Sequence, residues 1–518
     1  ACGSLEKAVI NSLQRYTGHL ESSAALDEIR VGLEGEWTQT LHTVNESLPL
    51  TDGLSVRESG WNYMFIYQQT PGLPLIAFAP IVEDNQPFSE IHQGALWQLN
   101  GMEYDIWKEE TLAPGERIRL DVFFGLGYEG VAAATSAKEM LRQGFDTLLE
   151  RTESWLAARE KKAENAAIET LLNTNLFYAF FFASGRTIDT EELCMMTSRS
   201  PRYYVSAAYW DRDSLLWAFP AIVEADGKYA RELLLSIFQR QGRNFGIHSR
   251  YIDGTVLEPG FELDELCAPA IALERYIAVT GDKGILQKEI IRQGLEGIVE
   301  KLLGRKHPDK ALFSTFLQPT DDMHNYPYLT YDNVLVWKAL SCLGEWLRQR
   351  KLSSLSDQVK KAILENCVFE HGGKKIFAWS VDGKGKWDIY DEPPGSLQLL
   401  PFYGFCSLQD AVWQNTMALI RNAEYPLSFH GHAIAEIGCK HAPHPWVLSM
   451  CNSLLSGHRE EALLHLQRTR MDNGIACESV HEDTGECTTG AAFATCAGFL
   501  AYALTRALAE ERKFEEKR

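Results

Sequence analysis

The stretch Phe261-Glu262-Leu263-Asp264-Glu265-Leu266-Cys267-Ala268-Pro269 sets the reading of this chain. Proline is tolerated in the first turn of a helix, where a missing N–H costs nothing. Pro269 therefore predicts a helix that begins between Asp264 and Ala268 and continues to about residue 280. Glu262, Asp264 and Glu265 then gather at a helix N-terminus, where the dipole favours negative charge. Carboxylates this close oppose one another's ionisation, so one of them can stay protonated near neutral pH. A general acid needs that property. Simple capping plus solvated charge is the plainer alternative.

Working outward, apolar-rich segments predict helices over 131–163, 166–184, 213–225, 227–241, 264–280, 283–304, 331–350, 407–422, 445–456, 458–470 and 490–511. Several are apolar on most sides, such as the one bearing Leu172, Leu176, Phe177, Phe180 and Phe181, or Leu215, Leu216, Trp217 and Phe219. Long connections (185–212, 242–262, 305–330, 370–406, 471–489) carry most of the unusual residues. Helical hairpins in a ring, with functional loops gathered at one end, fit that alternation. No fixed-period repeat is present.

Before Gly130 the texture is strand-like. Trp61-Asn62-Tyr63-Met64-Phe65-Ile66-Tyr67 and Arg117-Ile118-Arg119-Leu120-Asp121-Val122-Phe123-Phe124 are rich in aromatic and β-branched residues, and Thr51-Asp52-Gly53, Thr70-Pro71-Gly72 and Ala113-Pro114-Gly115 read as turns. The expected organisation is an antiparallel β-sandwich over 1–130 that starts with an amphipathic helix (1–30), a helical linker over 131–165, and a mainly α domain over 166–512. Gly125-Leu126-Gly127-Tyr128-Glu129-Gly130 has the GxGxxG form, but helix follows where a dinucleotide fold needs a second parallel strand. It reads as a tight turn leaving the sandwich.

The 518 residues suggest two domains, and 45% hydrophobic content supplies a large core. A formal charge of −20 argues against nucleic acid or an anionic membrane as the main partner. No apolar run is long enough to span a bilayer. The N-terminus lacks the features of a signal peptide, and the 11 cysteines lack small-scaffold spacing. A cytoplasmic protein with reduced thiols is expected, with a secreted or lipoprotein form as the alternative.

Other segments carry chemistry. Tyr209-Trp210-Asp211-Arg212-Asp213-Ser214 places an arginine between two aspartates after two aromatics, a set suited to adjacent sugar hydroxyls; Asp213 or Ser214 also suits a helix N-cap. The loop from Asp472 to Gly490 holds Asp472, Glu478, Glu482, Asp483 and Glu486, and reads either as functional or as a surface loop or calcium site. Thr320-Asp321-Asp322-Met323-His324, Tyr331-Asp332-Asn333 and Tyr390-Asp391-Glu392-Pro393-Pro394-Gly395 lie in or beside long loops, as pocket lining or as turns. His441-Ala442-Pro443-His444 has HxxH form, but its proline opposes a helical metal face. A nucleophile elbow, a P-loop and a CxxC zinc pattern are all missing from the sequence.

Taken together, these segments resemble the (α/α)6-barrel glycosidases, namely bacterial glucoamylases and the glucosidase domain of glycogen-debranching enzymes. The resemblance covers roughly residues 110–510. Trp210-Asp211-Arg212-Asp213 is similar to that group's sugar-binding segment. Leu263-Asp264-Glu265 with Pro269 resembles the acid segment of bacterial glucoamylases, and Glu478 with Gly485 and Thr489-Gly490 resembles the base segment. The resemblance implies an exo-acting, inverting hydrolase of α-linked glucosides, with Glu265 as general acid and Glu478 as general base. It implies that Asp211, Arg212, Asp213 and Asp264 hold the terminal sugar beside a Trp210 wall, with Tyr331 and Asp332 lining the pocket. No cofactor, metal, nucleic acid or membrane is expected, and the oligomeric state is open. Asp264 competes with Glu265, since the debranching branch uses an Asp; Glu482 and Glu486 compete with Glu478. A lyase, a phosphorylase and a non-catalytic sugar-binding relative are the rival readings.

Overall fold

The structure is a computed structural model. It describes strands between residues 20 and 127 by their backbone and residues 130–515 except 188, 189, 201 and 206, with side chains chiefly from 135 to 509. The chain divides into two compact units, residues 1–159 with 185–192, and residues 160–184 with 193–518.

In the first unit, Leu26–Thr38 pairs antiparallel with Gly101–Leu112, which pairs antiparallel with His92–Gln98. A second antiparallel sheet runs Asp121–Gly127, Leu75–Glu83, Met64–Gln68, Ser55–Ser59. Much of the helix expected over 1–30 lies outside the described residues. Its end is a strand instead: Ile29 and Val31 are β-branched and pair with Glu110 and Lys108. Gly125 and Gly127 belong to the last strand and Gly130 opens a helix, and the turn expected between them falls on residues outside the described ones. The single helix expected over 131–163 is two, α1 (Gly130–Gln143) and α2 (Phe145–Ala157). The break falls at Gly144, whose φ of 82° lies in the left-handed region that glycine enters without steric cost.

The second unit is helical. Its helices are α3 (Ala166–Phe182), a π-helical turn (Arg212–Ala218) that runs into α4 (Phe219–Ala225), α5 (Gly227–Arg240), α6 (Leu263–Thr280), α7 (Glu289–Leu303), α8 (Thr330–Trp346), α9 (Arg350–Asn366), α10 (Ala411–Ile420), α11 (Val447–Leu455), α12 (Arg459–Arg468) and α13 (Ala494–Glu515). The sequence periodicity anticipated these except α9. There the apolar stripe of Leu352, Val359 and Ile363 is hidden among lysine, serine and aspartate.

Two classes of helix occur along the chain. The π-turn with α4, α6, α8 and α11 is buried on most sides. Their partners bury single stripes, such as Leu233, Leu234 and Ile237 on α5 or Leu295, Ile298 and Leu302 on α7. Each such side chain, fully buried, contributes about 1.5–3 kcal/mol. The backbone of α13 crosses the π-turn closely at Gly498, where a Cβ would lie 2.6 Å from the Ala218 Cα. The connections 185–212, 242–262 and 305–330 lead to the N-termini of the π-turn, α6 and α8 and bring polar residues there.

Candidate active site

Charged segments arrive at two of these helix starts. Helix α6 begins at Leu263, earlier than Pro269 suggested, with Glu262 extended before it and the Leu263 N–H donating to Thr315 Oγ1 at 3.1 Å. Pro269 thus sits in the second turn, where it has no N–H to offer the Glu265 carbonyl. Asp264 and Glu265 lie in the first turn, a favourable place for carboxylates. The other start is Arg212, which opens the π-turn; the Phe219 N–H reaches Ser214 O there, a bond from i to i−5. Single π-turns of this kind recur at functional sites.

Arg212 is the hub. Its Nη1 donates to Glu262 Oε2 at 2.6 Å and to Asp264 Oδ2 at 2.9 Å, and its Nη2 donates to Asp321 Oδ1 at 2.6 Å. Buried charges survive only when paired this thoroughly. His248 joins the cluster, with Nδ1 2.5 Å from Glu262 Oε1 and Nε2 2.9 Å from Glu258 Oε2. Burial pulls the imidazole down, but the Glu262 hydrogen bond and the Asp321 charge outweigh it and lift His248 to about 9. Burial raises Glu262 to about 7 against the pull of Arg212, and raises Asp213 to about 7 as well.

The carboxylates differ in what their oxygens touch. Glu265 accepts the backbone N–H groups of Asp211 and of Arg212, the latter at 3.0 Å, and Arg250 stands 3.5 Å away. It caps the π-turn from the neighbouring helix. Asp211 is likewise occupied, by Arg250 Nη2 at 2.5 Å and the Tyr209 hydroxyl at 3.0 Å. Asp213 accepts from the Thr495 hydroxyl at 3.0 Å. Asp264 is different: its Oδ1 is buried and bare. Both oxygens of Asp332, at the start of α8, are also buried without a partner. Burial and the charge of Asp264 push Asp332 well above the ordinary carboxylate range. Trp210 is buried edge-on to His248, and Tyr331 meets the Tyr403 hydroxyl at 3.3 Å in the interior.

Glu478 opens a hairpin whose strands are Ser479–Val480 and Cys487–Thr489. The Tyr204 hydroxyl donates to Glu478 Oε1 at 3.1 Å, and His441 Nε2 lies 3.8 Å from the same oxygen. Burial raises the Glu478 carboxyl, opposed by Thr489, His441 and Tyr204, and the nearby Asp321 charge raises it further. Asp321 therefore links the two carboxylate centres: it pairs with Arg212 and acts on Glu478. Its φ of 65° turns consecutive side chains apart, so that Asp322 meets His441 at 3.3 Å while Asp321 meets Arg212. Aspartate enters this left-handed conformation more readily than most residues.

A cavity of about 880 Å³ adjoins the Glu478 side, lined among others by Asp322, Asn325, Trp379, Tyr390, Tyr425 and His441. Aromatic faces with a few polar groups are typical of a small-molecule site. Glu482 and Glu486 lie apart from this centre: Glu482 pairs with His444 at 2.9 Å and Glu486 with Arg470 at 3.0 Å.

A family model for metal-independent α-mannosidases (GH125) matches residues 293–504. The meiotically up-regulated gene 157 protein of Schizosaccharomyces pombe is 26% identical over 180 residues, covering 32% of this chain and 35% of that protein. The match thus spans about a third of the curated relative's length. Among solved structures, a Streptococcus pneumoniae metal-independent α-mannosidase, in a non-productive complex with α-1,6-mannobiose, superposes with a TM-score of 0.60 at 19% identity. That alignment covers 70% of this chain and 98% of the other. A bacterial glucoamylase complexed with acarbose gives 0.59 at 14% identity, over 88% of this chain and 74% of its own.

The chain resembles the (α/α)6-barrel glycosidases. The glucoamylase of Saccharomycopsis fibuligera, with a TM-score of 0.52 at 13% identity over 68% of this chain and 97% of its own, has the same fold. The matched family model and these three neighbours are all glycosidases. The family match contains Asp321, Asp332, His441 and Glu478 but not Arg212, Asp264 or Glu265. Sequence reasoning missed His248, Tyr204 and His441 as members of the site. The long loops containing the first two were marked as unusual, but nothing in the order of residues brings His248 to Glu262.

Proposed function

We propose that this protein is a glycoside hydrolase that removes α-linked sugars from chain ends with inversion, and that its substrates are α-mannosides. The observation that carries the reading is the convergence of two buried carboxylate centres, one around Arg212 and one at Glu478, joined by Asp321. In the reaction, one carboxylic acid protonates the glycosidic oxygen while a carboxylate on the opposite face takes a proton from the attacking water. Glu478 serves as the base. Tyr204 and His441 orient it, and its raised carboxyl makes it a stronger proton acceptor.

The acid role falls to Asp264 in preference to Glu265. A general acid needs an oxygen free to reach the substrate, and Asp264 Oδ1 is free whereas both Glu265 oxygens are held by backbone N–H groups. Arg212 and Asp213 hold the terminal sugar, and the aromatic cavity beside Glu478 accepts the rest of the substrate. Mannose is favoured over glucose by the family match across the half of the site that holds Glu478. A second reading, an α-glucosidase, is favoured by the bacterial glucoamylase, which covers more of the chain.

Incubation with α-1,2-, α-1,3- and α-1,6-mannobiose, maltose and isomaltose, followed by proton NMR, tests all parts. Release of β-mannose before mutarotation is expected. Glucose from maltose alone would favour the second reading. Initial α-anomer would remove inversion and the base role of Glu478. Saturable sugar binding without any hydrolysis would leave a sugar-binding protein.

A further inference from the structure

The described residues hold two groups of histidine and carboxylate side chains close enough to share an ion. In the first, His248, Glu262 and Asp321, the cation's place is taken: the Arg212 guanidinium donates to both carboxylates at 2.6 Å. The second lies at the tip of the Glu478 hairpin and is built differently. His432 Nδ1 is 3.2 Å and 3.3 Å from the two oxygens of Asp483, and His444 Nδ1 is 2.9 Å from Glu482 Oε2. Ligand atoms of His432, Glu482 and Asp483 all lie within 4.8 Å of one another. The His481 ring stacks 6.2 Å from that of His444. Among the described residues no lysine or arginine forms an ion pair with Glu482 or Asp483. Two carboxylates thus face imidazoles with no fixed positive charge between them.

We infer that His432, Glu482 and Asp483 form a binding site for a divalent transition metal of the zinc class, with His444 hydrogen-bonded to Glu482 beside it. Zinc bonds to imidazole and carboxylate are about 2.0–2.2 Å, so the edge of a tetrahedral site is roughly 3.3 Å. The His432–Asp483 separations of 3.2 Å and 3.3 Å lie near that edge, and the Glu482 ligand atom lies within 4.8 Å of both. Imidazole donors select zinc, copper or nickel over calcium and magnesium, which prefer all-oxygen shells. The backbone supports the arrangement: the Ile434 N–H donates to Glu482 O at 2.8 Å, so the loop bearing His432 already lies against the hairpin turn. Pro443 stops His441 and His444 from sharing a helical face, and it leaves His444 turned to Glu482 while His441 turns to Glu478.

The site's place gives it a consequence. Glu482 and Asp483 form the tip of the hairpin that begins at Glu478, so a bound ion ties that tip to the loop of residues 431–444. The ion is structural and stands apart from the sugar-cleaving reaction; its existence does not depend on which substrate the protein takes.

Isothermal titration of chelator-stripped full-length protein with zinc chloride, under reducing conditions, is the direct test, with thermal melting in parallel. One equivalent of zinc binding at micromolar affinity and a rise in melting temperature of several degrees are expected. The His432→Ala and Glu482→Gln variants should each keep the apo melting temperature within a few degrees and lose that equivalent. His465→Gln, at a buried histidine outside the group, should retain it. Absence of saturable binding by the wild type up to 100 equivalents would overturn the inference. So would binding that survives both variants, which would place the ion on the thiols.

Discussion

Asp264 and Glu265 are adjacent, yet their oxygens meet different partners, and the pair of changes Asp264→Asn and Glu265→Gln tests the division of roles proposed for them. Asp264→Asn keeps the shape of the side chain and can keep an acceptor oxygen toward Arg212 Nη1. What it loses is the ability to donate a proton from the bare oxygen. General acid–base groups contribute about 10²–10⁴ in rate, or roughly 3–5 kcal/mol of barrier. A loss of that order is expected with the melting temperature nearly unchanged. Glu265→Gln is a structural change. Both Glu265 oxygens accept backbone N–H groups at the start of the π-turn, so a carboxamide sets an NH2 group against one of those donors. A buried donor left unsatisfied costs about 1–3 kcal/mol, more where charge is involved. For a domain of this size that lowers the melting temperature by several degrees. Activity per folded molecule should fall less than for Asp264→Asn. The assay is initial-rate hydrolysis of the best α-mannobiose, alongside circular-dichroism melts at 222 nm. An inactive Glu265→Gln with a wild-type melt, beside an active Asp264→Asn, would refute this reasoning and restore Glu265 as the acid.

The remaining predictions concern charge and packing. Glu478 must be ionised to act as a base, and burial raises its carboxyl, so the rate should fall toward acid pH above the ordinary glutamate range; Tyr204→Phe removes a hydrogen bond to the ionised form and should move that limb to higher pH in a pH–rate profile. Glu436 is buried yet stays below the usual carboxylate range: burial alone would raise it, but His465, Arg421 and Ser449 prevail. Its folded-state value is thus depressed, so its contribution is present above the unfolded value near 4.5 and lost as pH falls through the folded one. Glu436→Ala should cost about 1–3 kcal/mol near neutral pH, measured by urea denaturation, because it leaves the buried Ser449 and Ser453 hydroxyls and the His465 ring without the carboxylate they meet. Gly498→Ala should lower the melting temperature by several degrees, since a Cβ there meets the Ala218 backbone at 2.6 Å.

Much of the helical unit was legible in the sequence because burial leaves a periodic mark. Leu263, Leu266, Ala270 and Leu273 state their own face, and helix after helix follows that rule. Helix α9 escaped because a polar surface outweighs its narrow stripe. The N-terminal region was harder. There the aromatic and β-branched runs marked the antiparallel strands, whereas Leu26–Arg30, the end of the helix read over 1–30, pair as a strand. Helix α6 starts at Leu263, one residue before the window that Pro269 set, because Pro269 lies in its second turn and not its first.

The sequence alone determined which residue types are available: two acidic segments, an Arg-Asp pair and aromatic-rich loops. Local order fixes the chemical inventory and the periodicity, and resemblance assigned both acidic segments to one reaction. Only the tertiary structure decided how neighbours in the chain divide their work. Asp264 and Glu265 carry the same group on the same helical turn, about 100° apart around its axis. One oxygen of Asp264 is left bare, while Glu265 meets the N–H groups that open the π-turn. Glu478 and Glu482 are parted likewise, one at the base of the hairpin beside Tyr204 and the other at its tip beside His444. The direction of a side chain and the partner it finds across the fold are properties of packing, and spacing along the chain does not encode them.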